Sequence, residues 1–580
     1  MHRFRVWAPG RRRVELVADG RRAAMTLADR GWWEMLDDGA SAGTRYGYSL
    51  DGGEVRPDPR SPSQPDGVLG LSEVVDQGAY AWSDAGWKGM RLDAAVIYEL
   101  HTGTFSPQGT FDGIVERLPH LLALGVDAVE LMPVAEFSGD RGWGYDGVDL
   151  FAPHHAYGGP AGLKRLVDAC HLSGLGVVMD VVYNHLGPVG NFLAEFGPYF
   201  TDRHQTDWGA GFNFDGPESD EVRRFVLDNA LQWVRDYHVD GLRLDAVHAM
   251  ADQAPIHILE QLAREVNALG TERRRATFVI AESDLNDPRF VRGRAAGGYG
   301  LDAAWSDDWH HAMHAALTGE RSGYYEDFGS LEILGKALRQ AWAYDGVWSA
   351  HRQKVRGGST AGLPAHAFVI ALQNHDQIGN RAAGDRLGTL VEEGALKAAA
   401  ALLLTSPFTP MLFQGEEWSA SSPFQYFTDH EDPELGKAVS EGRRREFDRF
   451  GWDPDGTPDP QDPGTFDHSK LVWTELDEPF HRQMLEWYRE LIRLRSRLGA
   501  PQGSTGNGVR VDVDSDARTV AFQRDGISVR VNLGETAWVV PVSGGDRLLM
   551  ASDPAIRPDG GCLSMPPSSV VILESSTAVA

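Results

Sequence analysis

Residues 239–248 read VDGLRLDAVH, a short apolar stretch that carries Arg243 and Asp245 two positions apart. In a β-strand, residues two positions apart point to the same face, so these two charged side chains share one face. Leu242 and Leu244 then share the other face. The stretch therefore predicts a strand that packs on a hydrophobic layer at one side and presents an arginine and a carboxylate at the other.

The rest of the chain indicates the fold that contains this strand. From Ala94 onward, apolar strands alternate with helix-length segments such as LKRLVDACHLSGLG, in which apolar residues recur at helical spacing. The predicted strands are AVIYELH, VDAVELMP, GVVMDVVYNH, VDGLRLDAVH, TFVIAES, LDAAWS, AFVIALQNHD and PMLFQGEEW. These repeats predict a parallel (β/α)8 barrel, the TIM-barrel architecture of the α/β class. An open doubly wound sheet is the competing fold, but the sequence lacks a glycine-rich dinucleotide loop.

Two β-rich segments flank the predicted barrel. Residues 1–90 contain short alternating runs such as FRVWA, VELVA and TRYGYSL, separated by turn residues, and predict a small β-sandwich. Residues 505–580 alternate again and predict a second, C-terminal β-sandwich. The catalytic barrel is expected over 91–504, with a short insertion at about 185–220.

The composition restricts the class of ligand. The chain has 580 residues, with 55 Lys and Arg against 83 Asp and Glu, which gives a net charge of −28. Such an excess disfavours nucleic acid and anionic membranes and is compatible with a neutral ligand such as a sugar. Cys170 and Cys562 are far apart and fit neither a disulfide framework nor a zinc site. Without an apolar signal core or a membrane-length apolar run, the sequence predicts a cytoplasmic protein.

Polar side chains also follow three other predicted strands at the points where the strands end. They are Asp180, Asn184 and His185 after the third strand, Glu282 after the fifth, and His375 and Asp376 after the seventh. Active sites of (β/α)8 barrels lie at that end of the strands. Arg243 and Asp245 alone fit a structural buried ion pair equally well. Several carboxylates in one pocket of low dielectric constant indicate acid–base chemistry, because their pKa values are driven apart.

Two carboxylates that flank a bond are the groups needed for glycoside hydrolysis. Asp245 lies beside Arg243, which favours its charged form, and is predicted to be the nucleophile. Glu282 follows an apolar strand near other negative charges, so its pKa should be raised and it should act as acid and then base. A barrel metallohydrolase is the alternative chemistry, but the HH pairs at 154–155 and 310–311 have the wrong spacing. A catalytically inactive glucan-binding protein would be expected to lack one of the carboxylates.

Four of the stretches resemble, in order, the conserved regions of the α-amylase superfamily of retaining glycosidases: DVVYNH, GLRLDAVH, AES and NHD. The resemblance implies that Asp245 is the nucleophile, Glu282 the acid/base and Asp376 the third carboxylate. It assigns further residues to the −1 subsite, which are Arg243, His185, His375 and Tyr145. Asp180 and Asn184 either contact substrate or brace the strand end. The insertion after His185 is short and offers no cluster of oxygen ligands, so we expect no structural metal and no cofactor.

Within the superfamily, the resemblance is to the malto-oligosyltrehalose trehalohydrolases. It rests on PDPRSPSQPDGVLG, IYELHTGTFSPQGTFDG, ELMPVAEFSGDRGWGYDGVD, NFDGPESDEVRRF, QNHDQIGNR and PFQYFTDHEDPELGKAVSEGRRREF. It implies an N-terminal immunoglobulin-like module of the glycogen-binding type and hydrolysis of the α-1,4 bond next to a terminal trehalose. The substrate would come from a partner synthase, and a monomer is expected. A glucan branching or debranching enzyme is the alternative, although branching enzymes read more like SHDE where this chain has NHDQ.

Selection of trehalose must come from the +1 and +2 subsites, where aromatic walls and polar groups are expected. The candidates are Trp208, Tyr325, Arg356, Arg381 and His248. Aromatic residues in such loops also serve packing, and His248 also suits a strand-end cap. Trp7, Trp32 and Trp33 of the N-terminal module are expected to pack between domains rather than to bind glucan.

Overall fold

Eight parallel strands in the described part of the chain close into a barrel. The computed structural model describes residues 1–206, 209–450, 457–499 and 503–574, without the side chains of 446–450. Barrel strands 1 to 8 are Ile97–Leu100, Ala128–Leu131, Gly176–Val181, Gly241–Leu244, Phe278–Ala281, Ala303–Trp305, Phe368–Ala371 and Thr409–Phe413. Each strand lies in one of the eight predicted stretches, except that strand 8 begins one residue earlier at Thr409, so the prediction of a (β/α)8 barrel is confirmed.

Helices surround the barrel; Glu393–Thr405 is buried on nearly all sides, and others bury one face. The longer ones are Gly159–Leu172, Ser219–Asp236, Ile258–Arg273, Asp307–Thr318, Leu331–Gln340, Glu393–Thr405, Pro433–Phe450 and Pro479–Leu498. Ser219–Asp236 shows the pattern: Val222, Phe225 and Val226 recur at helical spacing and are buried. Shorter helices follow strand 1 and precede strand 2, at Thr102–Phe105, Phe111–Val115 and Leu118–Leu124.

The period of two along the strands separates two hydrophobic layers. Leu242 and Leu244 are fully buried in the large cluster shared with the surrounding helices. Val178 and Ile280, which face inward, belong to a separate cluster that fills the inside of the barrel. Arg243 lies on this inner side, with its guanidinium 4.2 Å from the centre of the Trp305 ring. The barrel is therefore apolar at one end of its interior and charged at the other.

Two antiparallel sheets form the N-terminal part. One joins His2–Trp7, Trp32–Asp37 and Thr26–Leu27, and the other joins Arg21–Ala24, Val14–Ala18, Arg45–Leu50, Val55–Arg56 and Ser72–Glu73. Trp33 Nε1 donates to the Ala8 carbonyl within the module. The Trp7 ring contacts Tyr199, and Trp32 Nε1 donates to Glu221 on a barrel helix. Trp7 and Trp32 thus pack across the domain boundary.

The chain after the barrel forms a five-stranded antiparallel sheet with a smaller two-stranded one. The strands are Val509–Asp514, Thr519–Arg524, Ile527–Asn532, Ser569–Glu574 and Arg547–Ala551, with Trp538–Pro541 paired to Cys562–Met565. Arg524 attaches this part to the barrel, because it donates to the carbonyl oxygens of Thr405 and Ser406 at a helix C-terminus. A cation at that end of a helix is favourable because the carbonyl groups there carry partial negative charge.

The segment between the N-terminal sheets and the first barrel strand passes beneath the barrel. Asp84 Oδ2 accepts hydrogen bonds from His171 Nδ1 at 2.8 Å, His238 Nδ1 at 2.8 Å and Arg275 at 2.9 Å. His171 also shares a hydrogen bond of 3.0 Å with Asp240. One buried carboxylate therefore joins three elements at the N-terminal end of the barrel.

None of the described helices is both long enough and apolar enough to span a lipid bilayer.

The predicted insertion is small. After the third strand the chain forms a helical turn at Leu193–Phe196 and a hairpin of Phe200–Thr206 with Gly209–Phe212. The helix Ser219–Asp236 follows directly. The described part of this insertion is consequently one helical turn and one hairpin rather than a separate folded domain.

Candidate active site

Arg243 is the charged centre of the barrel mouth. Its Nη1 atom donates to Asp245 Oδ1 at 2.8 Å and to both oxygens of Asp180 at 3.0 Å. Its Nη2 atom lies 3.7 Å from Glu282 Oε2. Burial lowers the pKa of a guanidinium, but the surrounding carboxylates outweigh it and hold the pKa of Arg243 well above its ordinary value. Three carboxylates from three different strands are thus arranged around one cation.

Asp245 is fixed by hydrogen bonds to both of its oxygens. Arg243 donates to Oδ1, and Asn184 Nδ2 donates to Oδ2 at 2.7 Å and to the backbone carbonyl of Asp245 at 2.8 Å. The Asp245 side chain remains 13% exposed, so one face of the carboxylate is open to the mouth. Hydrogen bonds from a cation and an amide fix the direction of the carboxylate. Asn184 therefore braces Asp245, which is one of the two roles that the sequence left open.

Glu282 has a different environment. Its Oε2 accepts a hydrogen bond of 2.7 Å from the backbone N–H of Ala246, and its side chain is 15% exposed. Ala246 has φ 40° and ψ 52°, the left-handed conformation that is unfavourable for alanine. That conformation aims the N–H next to Asp245 at Glu282. Burial, with the charges of Asp245, Asp307 and Asp376, raises the pKa of Glu282 well above its ordinary value, although Arg243 opposes the shift.

A chain of hydrogen bonds crosses the mouth beneath the third carboxylate. Glu99 accepts from His375 Nδ1 at 2.5 Å, and His375 Nε2 lies 2.8 Å from the Tyr145 hydroxyl. Tyr145 in turn donates to Asp180 Oδ2 at 2.6 Å. Burial opposes protonation of His375, but the charges of Asp376 and Glu99 outweigh it and raise the pKa of His375 to about 9. The charged imidazole of His375 then donates from both nitrogens. At the other end of the chain of hydrogen bonds, burial raises the pKa of Asp180 to about 6.

Asp376 is the most accessible of the three predicted carboxylates. Its side chain is 44% exposed, and Oδ2 lies 3.4 Å from His375 Nε2. Asn374 caps the short helix His375–Gly379, which begins directly after strand 7 and carries Asp376 in its first turn. His185 is bonded to the Asn184 side chain, and burial lowers its pKa.

The candidates for the plus subsites form two groups. The first contains Arg356, which is buried, contacts Asp284 Oδ2 at 2.6 Å and donates to the Asp284 carbonyl. It also contains His248, which is exposed and lies close enough to influence the pKa of Asp284. Arg381 donates to Glu320 at 2.9 Å.

Tyr325 belongs to the second group, because it lies near Arg381 and Glu320. It is only 1% exposed, so its ring is a packing element rather than an open platform. Its hydroxyl is 2.9 Å from His310 Nε2, and its ring stacks on His314. Trp208 lies outside the described residues.

Several residues of the mouth were not predicted from the sequence. Glu99 follows the same pattern as the others, a polar residue near the end of an apolar strand, and could have been found by it. Trp305 lies against Arg243, and Asp307 follows strand 6, where the sequence analysis placed no site residue. Asp284 is two positions past Glu282, but its partners Arg352 and Arg356 come from a distant hairpin that sequence spacing does not indicate.

A group outside the mouth has metal-ligand chemistry. Glu136, His154 and His155 bring donor atoms within 4.8 Å of one another. Glu136 Oε1 lies 3.0 Å from His154 Nδ1 and 2.6 Å from His155 Nδ1. These are hydrogen-bond separations, and the His155 backbone N–H also donates to Glu136 at 2.8 Å. Hydrogen bonds between the two imidazoles and the carboxylate account for the arrangement.

Comparison with known proteins identifies relatives over nearly the full chain. The family model for "Alpha amylase, catalytic domain" matches residues 64–211. A malto-oligosyltrehalose trehalohydrolase of Rhizobium sp. (strain M-11) is 49% identical, covering 98% of this chain and 97% of its own. That of Arthrobacter ramosus is 51% identical, with 94% and 95% covered. A crystal structure of a Salmonella typhimurium protein assigned as an alpha amylase superposes with a TM-score of 0.90 at 39% identity, covering 99% of this chain and 97% of that chain.

Proposed function

Because the chain belongs to the malto-oligosyltrehalose trehalohydrolases, glycosidases of the α-amylase type, we propose that it releases trehalose from malto-oligosyltrehalose. The bond cleaved is the α-1,4 linkage next to the terminal trehalose. The products are free trehalose and a shortened malto-oligosaccharide. Cleavage proceeds by retaining double displacement through a covalent glycosyl-enzyme intermediate.

In the first step, Asp245 attacks the anomeric carbon of the sugar at the −1 subsite. Glu282 donates its proton to the glycosidic oxygen, so that the trehalose unit leaves as a neutral alcohol. The step needs a charged Asp245 and a protonated Glu282 at the same pH. In the second step, Glu282 takes a proton from water as the water oxygen attacks the anomeric carbon. The bond to Asp245 breaks, Asp245 leaves as a carboxylate, and the sugar is freed with its original anomeric configuration.

The contrast between the two carboxylates is the observation that carries this assignment. The Asp245 carboxylate accepts hydrogen bonds from a guanidinium and an amide, whereas the one hydrogen bond that the described residues donate to the Glu282 carboxyl group comes from a backbone N–H. The pKa of Glu282 is raised, chiefly by burial. A carboxylate held by a guanidinium and an amide, beside a carboxyl group whose pKa is raised, suits the pairing of a nucleophile with an acid.

The third carboxylate and its neighbours would bind the −1 sugar. Asp376 is accessible and can accept hydrogen bonds from sugar hydroxyl groups. Tyr145 and His375 lie beneath it with stacked rings whose centres are 5.2 Å apart. Tyr145 then offers a ring face to the sugar, and His185 supplies a further polar group on the Asp245 side.

Product analysis tests the function directly. The protein is incubated with maltotriosyltrehalose and, separately, with maltopentaose, and the products are separated by chromatography. Free trehalose from the first, with little attack on the second, is the expected result. Similar cleavage of both would indicate a general α-glucanase, and new α-1,6 linkages or longer chains would indicate a branching transferase.

Two variants test the assigned roles. Asp245→Asn should lower kcat by about 10³-fold or more, because the amide is not a nucleophile. Glu282→Gln should lower turnover of maltotriosyltrehalose to a similar extent, yet still form the glycosyl-enzyme from α-maltotriosyl fluoride, whose leaving group needs no acid. Asp512→Asn, which removes an exposed carboxylate of the C-terminal sheet, is the matched control. Retention of normal turnover by either active-site variant would reject the corresponding assignment.

The substrate implies a partner in the reaction sequence and says nothing of a physical complex. A synthase must first convert the reducing-end α-1,4 bond of a malto-oligosaccharide into an α,α-1,1 bond. We propose that this chain acts after such a synthase and functions as a monomer. Sedimentation of the protein alone and with the synthase would test both parts.

A further inference from the structure

A further carboxylate lies at the mouth of the barrel beside the acid/base. Asp307 begins the helix Asp307–Thr318, two positions after barrel strand 6. Strand 6 lies between strand 5, which leads to Glu282, and strand 7, which leads to Asp376. Because the strands are parallel, these three residues emerge at the same rim. Strands 4 to 7 therefore each lead to a carboxylate, and only Asp307 has no role in the mechanism above.

Asp307 differs sharply from its neighbour in sequence. Asp308 is buried, and its Oδ2 accepts three hydrogen bonds of 2.7 Å, from Asn286 Nδ2 and the backbone N–H groups of Ala343 and Tyr344. Asp307 is partly exposed, and the one hydrogen bond that the described residues donate to its carboxyl group spans 3.3 Å. Asp308 thus holds the structure together, whereas Asp307 keeps hydrogen-bonding capacity unused.

The donor to Asp307 connects it to the third carboxylate. Gln377 Nε2 lies 3.3 Å from Asp307 Oδ1, and Gln377 Oε1 accepts from the backbone N–H of Asn374 at 3.0 Å. Gln377 is therefore held in the capping box of the helix that carries Asp376. The amide and the Asp307 carboxyl group together form a fixed polar edge between strands 6 and 7.

The charges around Asp307 define the ligand that it can accept. Glu282, Asp376 and Asp284 influence it as like charges, and Arg243, a cation that acts on it, is already bonded to Asp180 and Asp245. An anionic ligand would add repulsion. A hydroxyl group adds no charge and can donate to a carboxylate oxygen or accept from a protonated carboxyl group. The site therefore suits a neutral polyol such as a sugar ring.

We propose that Asp307 binds a hydroxyl group of the departing trehalose on the leaving-group side of Glu282, with Gln377 as its orienting partner. The inference rests on the proposed function and adds a specificity-determining residue to it. Glu282 must lie beside the glycosidic oxygen that it protonates, so the adjacent strand end is next to the ring that departs. The −1 ring is bound by Asp376 and Tyr145.

The test compares two substrates that share the −1 ring and differ in what departs. Maltotriosyltrehalose has a sugar on the leaving-group side, and α-maltotriosyl fluoride has none. For Asp307→Asn, kcat/KM with maltotriosyltrehalose should fall about tenfold to hundredfold, the effect of weakening one hydrogen bond to a charged group. With the fluoride it should stay within about twofold of wild type. The inhibition constant of added trehalose should rise by about tenfold.

Other outcomes have distinct meanings. An equal fall with both substrates would overturn the proposal, because Asp307 would then act on Glu282 or on the fold. Unchanged kinetics with both substrates would overturn it too. Glu326→Gln, which neutralises an exposed acid on a neighbouring segment, should leave both substrates and trehalose inhibition unaffected. A change in that variant would show that general loss of negative charge, and not contact with the sugar, explains the effect.

Failure of the proposed function would be seen in the wild-type protein. If it cleaves maltopentaose but releases no trehalose from maltotriosyltrehalose, the trehalose assignment is rejected. Maltopentaose also places a sugar on the leaving-group side, so the comparison with the fluoride is then made with that substrate. A selective loss for maltopentaose in Asp307→Asn would still place Asp307 at the departing ring, and an equal loss would reject that position.

Discussion

Replacement of Asn184 by alanine tests how the nucleophile is held. The Asn184 amide donates to Asp245 at two points, Oδ2 at 2.7 Å and the backbone carbonyl at 2.8 Å. Its own oxygen is bonded to His185. Alanine removes all three contacts and leaves Arg243 as the group that still holds the Asp245 carboxylate. The carboxylate then keeps its charge partner but gains freedom to rotate away from the line of attack.

The size of the effect follows from the kind of bond that is lost. A hydrogen bond to a charged group contributes about 1.5–3 kcal/mol, which corresponds to roughly 10- to 150-fold in rate. Asp245 is 13% exposed, so water can replace the missing donor and the loss in stability should be smaller, about 1 kcal/mol. We therefore expect kcat to fall about 10- to 150-fold with little change in KM, because the −1 contacts of Asp376 and Tyr145 remain.

The assay measures trehalose release from maltotriosyltrehalose by Asn184→Ala, by wild type and by Asn191→Ala. Asn191 accepts a local backbone hydrogen bond from Leu193 near the insertion, so its loss should leave kcat within about twofold. Circular dichroism and thermal unfolding establish that each variant is folded. A wild-type kcat in folded Asn184→Ala would refute the inference that these hydrogen bonds orient the nucleophile. A loss as large as that of Asp245→Asn would show that Asn184 does more than orient it.

Three further results are expected. Tyr145→Phe removes the hydroxyl that links Asp180 to the charged His375, so kcat/KM should fall about 10- to 100-fold in steady-state assays, with unfolding midpoints reported alongside. Glu282 must be protonated to act as acid, and its pKa is raised above 4.5, the ordinary value for glutamate. Activity should therefore persist well above pH 4.5 and fall as the pH rises through the Glu282 pKa. A kcat/KM–pH profile whose alkaline limb lies at or below pH 4.5 would contradict this. Hydrogen bonds hold the pKa of Asp84 below its ordinary value against burial, so its stabilisation is present above that value and lost as the pH falls. Asp84→Asn should lower the free energy of unfolding by about 3 kcal/mol at pH 7 in urea titrations, whereas the exposed Asp76→Asn should not.

The barrel and its catalytic carboxylates could be predicted because both depend on local patterns. The period of two in VDGLRLDAVH and the apolar runs around it fix which side chains face inward. Parallel strands bring their carboxyl ends to one rim, so Asp245, Glu282 and Asp376 could be grouped without knowledge of any loop. The fold prediction is confirmed; the residue roles remain proposals that the contacts support.

The loops around the mouth were less predictable, because aromatic residues serve packing and binding equally well. Tyr325 was a candidate platform for sugar, yet its ring is buried against His314. Arg356 was also a candidate. It belongs to a hairpin some 70 residues after Asp284 in sequence, and the fold of that hairpin brings the two residues together. No local pattern distinguishes such a loop contact from an exposed one.

The sequence by itself determined the barrel, the rim at which its polar residues meet and the chemical types available there. The tertiary structure alone decided how those groups differ from one another. Ala246 adopts a left-handed conformation that aims an N–H at Glu282, and Asn184 reaches Asp245 across 61 positions of sequence. Asp307 and Asp308 are identical neighbours in the chain, yet one is enclosed by three donors and the other opens to the mouth. Periodicity is a property of neighbouring residues, whereas the protonation state and the direction of a carboxylate depend on what the folded chain brings against it.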